Sequence, residues 1–404
     1  MSYPMQHITV VDLTQYVTGP YCTQVLADLG ANVIKVEPTG SGDVYRRQGP
    51  VFAAGESASF LALNRGKASV TLDLASRSDR QRLEEIIAGA DVLVENARPG
   101  ALRKHGLDYS SLSARHRRLI YCSMSAFGER GPLAAEAGYD LTVQATAGLL
   151  ALTGHPGSGP ARIPIPALDF GCALYGTVGI LAALAERERT GRGQRIATSM
   201  LETSLAWLSI HVLNLLLGGE EPAPSGSRSP FFAPYETYAT SDGHVAVVGT
   251  GERDAWGNLC RALRLEHLVD DPRFATNQDR VRRADLLKRE IEAVLSREPT
   301  AKAVERLRDA KVTCAPVQSL REALESPQVE ALGLLQQLRH PRAGTIPTVR
   351  LPLTFSAAQS TATAPPPMLG ADDRVASTEA GGRAECDERP AEPRSGRGSG
   401  ETLR

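Results

Sequence analysis

Through the first 125 residues, short β-rich runs alternate with helical stretches, and this rhythm restricts the fold more tightly than anything else in the chain. Ile8–Leu13, Asn32–Glu37, Ser69–Leu74, Asp91–Glu95 and Leu119–Ser123 read as strands, because each gathers Val, Ile or Leu into a run too short for a helix. Gly19–Leu29 reads as a helix between the first two. Arg80–Ala88 places Leu83, Ile86 and Ile87 on one helical face. Strands separated by helices pair in parallel, since a parallel neighbour requires a crossover connection. The expectation is an α/β fold built on a helix-covered parallel sheet.

After a turn-rich stretch, Gly128–Tyr139, helices are expected at Leu141–Leu152, at Phe170–Glu188 as a closely packed buried element, and at Ser199–Leu217. Thr190-Gly191-Arg192-Gly193 supplies the stop for the second of these. Residues 218–234 are rich in Gly, Pro and Ser and read as a linker that closes a large domain over 1–217. Beyond it, Tyr235–Val248 reads as a hairpin turning at Asp242-Gly243, followed by helices at Trp256–Leu263, Val281–Leu295 and Ala301–Ala310. Residues 235–325 are therefore expected to form a smaller α+β domain. The polar stretch 371–404 has too little apolar content to offset its ordering entropy and is expected to be disordered.

With 45 Lys and Arg against 46 Asp and Glu, the net charge is −1, and no basic stripe offers a footprint for nucleic acid. Even the apolar stretch Leu208–Leu217 contains His211 and Asn214, so no membrane span is expected. Met1–Asp12 lacks a signal peptide's basic and apolar regions, which points to the cytoplasm. The six cysteines and eight histidines are scattered without ligand spacing, and no metal is expected. Val245–Gly257 carries Gly249-Thr250-Gly251 after a strand-like run, yet Asp254 stands where a dinucleotide fingerprint needs its third glycine. Neither a phosphate loop of P-loop type nor a Gly-x-Ser-x-Gly elbow is present.

Three places could carry chemistry. Asp169 precedes a helix, where it would be either a simple cap or a carboxylate at a site that stabilises negative charge; spacing alone favours the cap. Tyr139-Asp140 stands in a similar position before another helix. Asn96-Ala97-Arg98-Pro99-Gly100, with Arg103 and Lys104, follows a strand where open α/β sheets bind ligands, although its charges equally suit a solvated helix face.

Read in order, VVDLTQYVTGPYCTQVLADLGANVIKVEPTGSGD, NRGKASVTLDL, DVLVENARPGALRKHGL, Gly138-Tyr139-Asp140, ALDFGCALYG, TGRGQRIATSMLE, DPRF and APPPMLG resemble the family III CoA-transferases. That group contains formyl-CoA transferase and carnitine CoA-transferase, with α-methylacyl-CoA racemases as divergent relatives. The resemblance covers the chain to about residue 370. It implies a Rossmann-like large domain completed by residues 326–370, a smaller inserted domain and an interlocked homodimer. The activity implied is ping-pong transfer of coenzyme A from an acyl-CoA donor to a carboxylic acid acceptor, with no tightly bound cofactor. Asp169 would be the nucleophile, forming an aspartyl anhydride and then an aspartyl-CoA thioester, and an ionised Asp needs no activating base.

By the same resemblance, Val17, Thr18, Leu72, Asp73, Leu74, Ala75, Asn96, Ala97, Arg98 and Lys104 fall at CoA-contacting positions, and Tyr139 and Asp140 near the acyl substrate. Val17, Pro38 and Ala137 replace formyl-CoA transferase's glutamine and two basic contacts, which points away from formyl or oxalyl specificity. Ser225–Pro230 occupies the place of the family's glycine-rich lid with one glycine left. Tyr139 aligns with the racemases' histidine, and a phenol near pKa 10 is a poor base at neutral pH. The alternatives to transfer are racemisation and non-catalytic CoA binding.

Overall fold

The structure, a computed structural model, describes residues 2–251 and 254–374. Six strands form one sheet, in chain order Thr9–Asp12, Asn32–Pro38, Lys67–Leu72, Val92–Glu95, Ile120–Ser125 and Arg195–Ser199. Across the sheet they run third, second, first, fourth, fifth, sixth, and all neighbours are parallel. The chain thus winds outward from the first strand in one direction, then returns and winds in the other. The first and fourth strands form the switch point, where their loops diverge and leave a crevice.

Strand alternation builds two cores. Val10, Val92 and Val94 point to one face, where they pack with Cys22, Leu26, Ile120, Leu168 and Ile180. Val11, Leu93, Val70 and Leu72 point to the other, against Leu83, Ile86 and Ile87 of the helix Arg77–Ala88. Both faces are dry, as helix crossovers require of a parallel sheet. A second assembly has its own core of Tyr238, Val245, Val247, Leu259, Phe274, Leu287 and Ile291. There the antiparallel strands Tyr235–Ala239, His244–Val248 and Thr313–Pro316 pack on helices Ala255–Leu263, Ala284–Leu295 and Thr300–Asp309. The architecture is mixed α/β, a large parallel sheet beside a smaller α+β region.

The five expected strands and the hairpin are present, and several helices differ. Leu141–Leu152 breaks at Gly148, whose φ of +80° suits glycine, into Asp140–Thr146 and Leu149–Leu152. Ser199–Leu217 becomes the helices Met200–Trp207 and Ser209–Gly218, bent by 63°, and Ser199 ends the sixth strand instead. Val281–Leu295 breaks at Arg283. Gly249-Thr250-Gly251 follows a strand of the antiparallel sheet, so no βαβ unit surrounds it.

The helix Ala167–Thr190 is 24 residues long, and its most apolar 18-residue stretch has a mean hydropathy of 1.6, so by length and composition alone it could cross a membrane. It lies on the sheet, half buried. A Cβ at Gly176 would come within 2.2 Å of the Met124 side chain, so the missing side chain sets how closely the helix approaches the fifth strand. Its opposite face leaves Leu174, Tyr175, Val178 and Leu181 exposed, which corrects the reading of a fully buried helix.

Residues 351–373 return to the first half of the chain. Leu351 joins the main core, and Arg46 donates to the carbonyl of Pro367. Asp372 accepts from the Ser69 amide (2.8 Å) and Asp373 from the Thr71 amide (2.7 Å), on the outer edge of the third strand. Residues 371–374 thus form a bound turn, while the rest of the expected disordered tail lies outside the described residues.

Candidate active site

The crevice at the switch point is held open by polar contacts that cross it. Asn96, just after the fourth strand, accepts from the Gln15 amide (3.0 Å) and donates to the Gln15 carbonyl (2.8 Å), fixing the loop that leaves the first strand. Beneath that loop sits a buried charge network. Asp12 accepts from Lys67 at 3.1 Å and lies 4.0 Å from Lys35, which pairs with Asp43 at 2.8 Å. Burial alone would raise the Asp12 carboxyl, but the two lysines and the hydroxyls of Thr14 and Thr23 hold it well below the carboxylate range. Lys35 donates to the Thr14 carbonyl, and Asp43 accepts from the amides of Tyr16 and Tyr45. Tyr16 takes a φ of +68°, unfavourable for a residue with a Cβ, and this bond helps to hold it there.

Asp169 is the third residue of the helix Ala167–Thr190, inside its first turn and not its cap. The helix is capped from outside: Asp140 accepts from the Leu168 amide (2.9 Å) with one oxygen and from the Gln144 side chain with the other. Gln144 in turn accepts from the Ile163 amide (3.1 Å). Asp140 is itself the first residue of its helix, with Tyr139 at the cap position, and its carboxylate serves the neighbouring helix.

The Asp169 carboxylate is half-buried, accepts from the Thr18 hydroxyl on Oδ1, and has no ion pair among the described residues. Burial pushes it up to about 6; the Thr18 hydrogen bond pulls down and the Asp140 charge pushes up further. It is therefore less acidic than a free aspartate. It lines a cleft of about 310 Å³ together with Tyr16, Thr18, Asn96, Ala97, Arg98 and Tyr139. Tyr16 meets Tyr139 and Tyr45 edge-on, at 5.8 and 5.7 Å between ring centroids. A hydrogen bond to Tyr139 pushes the Tyr16 phenol up; burial, then the Asp169 charge, does the same to Tyr45. An adjoining cavity of about 430 Å³ shares Arg98 and Pro99 and continues along Arg103, Tyr109 and Arg195.

Of the residues anticipated from sequence, Thr18, Asn96, Ala97, Arg98, Tyr139 and Asp169 meet around one cleft, with Asp140 directly behind it. Val17 is buried beside it. Leu72 ends the third strand with its side chain in the far core, and Arg80 ties down the carbonyls of Leu74 and Ala75 beyond it. Asp73 lies in the same turn, and exposed Lys104 in the short helix Arg103–His105; neither lines the cleft. Ser225–Pro230 is absent from the cleft wall too: Gly226 packs on His155, and Arg228 pairs with Glu236 and Asp285. Sequence reasoning missed Tyr16, Tyr45 and Gln144; the one available signal was two further tyrosines in the strings flanking Thr18 and Asp43.

A sequence model described as CoA-transferase family III matches residues 5–373. The chain belongs to this family. The succinyl-CoA:glutarate CoA-transferase of Mus musculus is 33% identical over 371 residues, covering 92% of this chain and 85% of that protein. The acetyl-CoA:oxalate CoA-transferase of Acetobacter aceti is 38% identical over 333 residues, 82% of this chain and 85% of its own length. A crystal structure of a CaiB/BaiF family protein from Brucella suis superposes with a TM-score of 0.84 at 34% identity, covering 94% of this chain and all of the other. The activity of this family III enzyme is acyl-CoA:carboxylate CoA transfer, with acyl-CoA as substrate. Among the described residues no cluster of three His, Cys, Asp or Glu side chains could hold a metal ion.

Proposed function

We propose that Asp169 is the nucleophile of a ping-pong exchange between small dicarboxylic acids. The observation that carries this is a cleft-facing carboxylate, free of any cation among the described residues and raised to about 6 by burial, so that its lone pairs are available rather than neutralised. One Asp169 oxygen attacks the thioester carbonyl, the C–S bond breaks, and CoA leaves as the thiolate with the bonding electron pair. The thiolate then attacks Cγ of the mixed anhydride. The bond from Cγ to the bridging oxygen breaks, releasing the first acid as carboxylate and leaving an aspartyl-CoA thioester. A second carboxylate reverses both steps. CoA would run along the carboxyl ends of the strands past Val17, Thr18, Leu72–Ala75, Asn96–Arg98 and Lys104, with the acyl group beside Tyr139 and Asp140. Succinyl-CoA and glutarate in the name of one relative support the substrate class.

The trapping experiment is incubation with succinyl-CoA and hydroxylamine followed by peptide mass spectrometry. A hydroxamate at Asp169 is the expected product. Intact CoA binding with an unmodified Asp169 across a panel of dicarboxylyl-CoA esters would remove the nucleophile assignment.

The same reading takes residues 1–217 and 326–370 as a large Rossmann-like domain, 235–325 as a small one, and the enzyme as an interlocked homodimer in the cytoplasm. Support for the dimer comes from an exposed apolar face: Leu174, Tyr175 and Val178 on the nucleophile's helix, and Trp207, Ile210, Leu213, Leu216 and Leu217 on the two that follow the sixth strand. Light scattering at micromolar concentration should return twice the chain mass; the monomer mass would rule the dimer out. The described cysteines are all free, in keeping with a reducing compartment.

A further inference from the structure

We infer that Thr18 is a positioning residue for the nucleophile: its hydroxyl pins Oδ1 of Asp169, leaves Oδ2 as the attacking oxygen, and donates to the oxyanion that forms on Oδ1 when Cγ is attacked. This rests on Asp169 being the nucleophile and reassigns a side chain expected only to contact CoA.

Thr18 is the first residue of the helix Thr18–Asp28 and is 6% exposed. Its hydroxyl has one described hydrogen bond, to Asp169 Oδ1, rather than the backbone contact that threonines near a helix start ordinarily make. The turn that presents it is fixed from several directions. A Cβ on Gly19 would lie 2.2 Å from the Thr14 side chain, so this turn sits directly on Thr14. Thr14 is held through its amide (2.9 Å) and hydroxyl (2.5 Å) by Asp12, which also accepts from Thr23 (2.7 Å), while Lys67 holds the Pro20 carbonyl (2.9 Å). On the opposite side, Tyr21 packs edge-on against Phe170, the neighbour of Asp169, at 4.7 Å. Donor and acceptor therefore sit on two helix starts locked against each other.

The chemistry uses this bond twice. An unpinned carboxylate rotates between two equivalent faces; one pinned through Oδ1 keeps its plane and presents the Oδ2 lone pair to the cleft, reducing the orientation lost on attack. Once Oδ2 carries the acyl group, Oδ1 is the carbonyl oxygen of the anhydride. When thiolate adds to Cγ, the electron pair of that C=O moves onto Oδ1, where the Thr18 hydroxyl already points. It returns as the bond to the bridging oxygen breaks. A donor aimed at the place where charge develops, without reorganisation, favours the transition state over the ground state.

The test compares full-length Thr18→Val, Thr18→Ser and Thr18→Ala with the parent and with Asp169→Asn, measuring kcat, KM for acyl-CoA and the pH dependence of kcat/KM. Thr18→Val should lower kcat by ~10- to 100-fold with KM for acyl-CoA within about threefold, and move the acid limb up from near pH 6 by about one unit. Thr18→Ser should recover most of both, and Thr18→Ala should follow valine, which keeps the test alive should valine misfold. A rise in KM alone, or an unmoved acid limb with unchanged kcat, overturns the inference. If the parent transfers CoA and Asp169→Asn does too, it is the nucleophile assignment that falls; if Asp169→Asn is dead and valine is harmless, only the role of Thr18 does.

Discussion

Replacing Asp169 by Asn should abolish CoA transfer, with kcat down at least ~10³-fold, while CoA still binds and the folded protein becomes more stable at neutral pH. The two effects share one cause. Burial pushes the carboxyl from 3.8 to about 6, so the ionised form is held at a cost in the fold. Two pH units correspond to roughly 3 kcal/mol as an upper figure; part-exposure of the group brings this to about 2 kcal/mol. The sign follows from proton linkage: with the folded value above the unfolded one, the destabilisation is complete above pH 6 and fades as pH falls towards 4. The melting advantage of Asp169→Asn over the parent should thus be largest at pH 7–8 and shrink between pH 6 and 4. Thermal melts across that range, alongside an exchange assay, check both halves. Activity within tenfold of the parent would refute the nucleophile assignment, and a constant stability difference would refute the buried-charge account.

Asp12→Asn should cost about 3–5 kcal/mol of stability and most of the activity, although Asp12 touches no substrate. Its carboxylate is the anion between Lys35 and Lys67, all three closed off from solvent. Lys35 keeps Asp43, but Lys67 keeps only the neutral acceptors Asn64 and Pro20. Burial already pulls Lys67 down to about 8, with Asp12 holding it up, and without Asp12 it falls further. The variant is then penalised while the parent lysine is charged, so the deficit should narrow as pH rises past 8. The amide keeps only one of the two oxygens, so either Thr14 or Thr23 meets an NH2 group where it had an acceptor, loosening the turn that carries Thr18. Denaturant titration at pH 7 and 9 measures this; a loss below 1 kcal/mol at both would mean the network does not support the loop.

The sheet was legible because its strands, apart from buried charges such as Asp12, Lys35 and Lys67, gather Val, Ile and Leu on both faces and its helix Arg77–Ala88 is amphipathic, patterns that survive in a single sequence. The sixth strand was not: Arg195–Ser199 holds one large apolar residue, Ile196, and its pairing with Ile120–Ser125 is a long-range event. The bend at Leu208 lies in a run, Leu205–Leu213, that is broken only by Ser209 and His211 and holds neither Gly nor Pro, so no helix-breaking residue announces it. In the site, Asp169 and Tyr139 emerged through family resemblance, but their support did not. That Asp140 caps another helix, or that Asp43 sets the Tyr16 turn, depends on side chains brought together across 28 and 27 positions. Composition and periodicity carry no record of such meetings. The raised acidity constant of Asp169 is likewise a property of its surroundings, and the residue type alone suggests a more acidic group.

The turn at Asp372 and Asp373 also bears on how the protein is made. It occupies the outer amides of the third strand, a rim that belongs to the first fifth of the chain, from 303 and 302 positions downstream. At 5–20 residues per second, a ribosome needs roughly 15–60 s to travel between the two. For that interval the nascent sheet has a bare rim able to recruit any passing strand. The residues that close it, Asp372 and Asp373, are synthesised long after it, so a chain released short of them is left with an adhesive side.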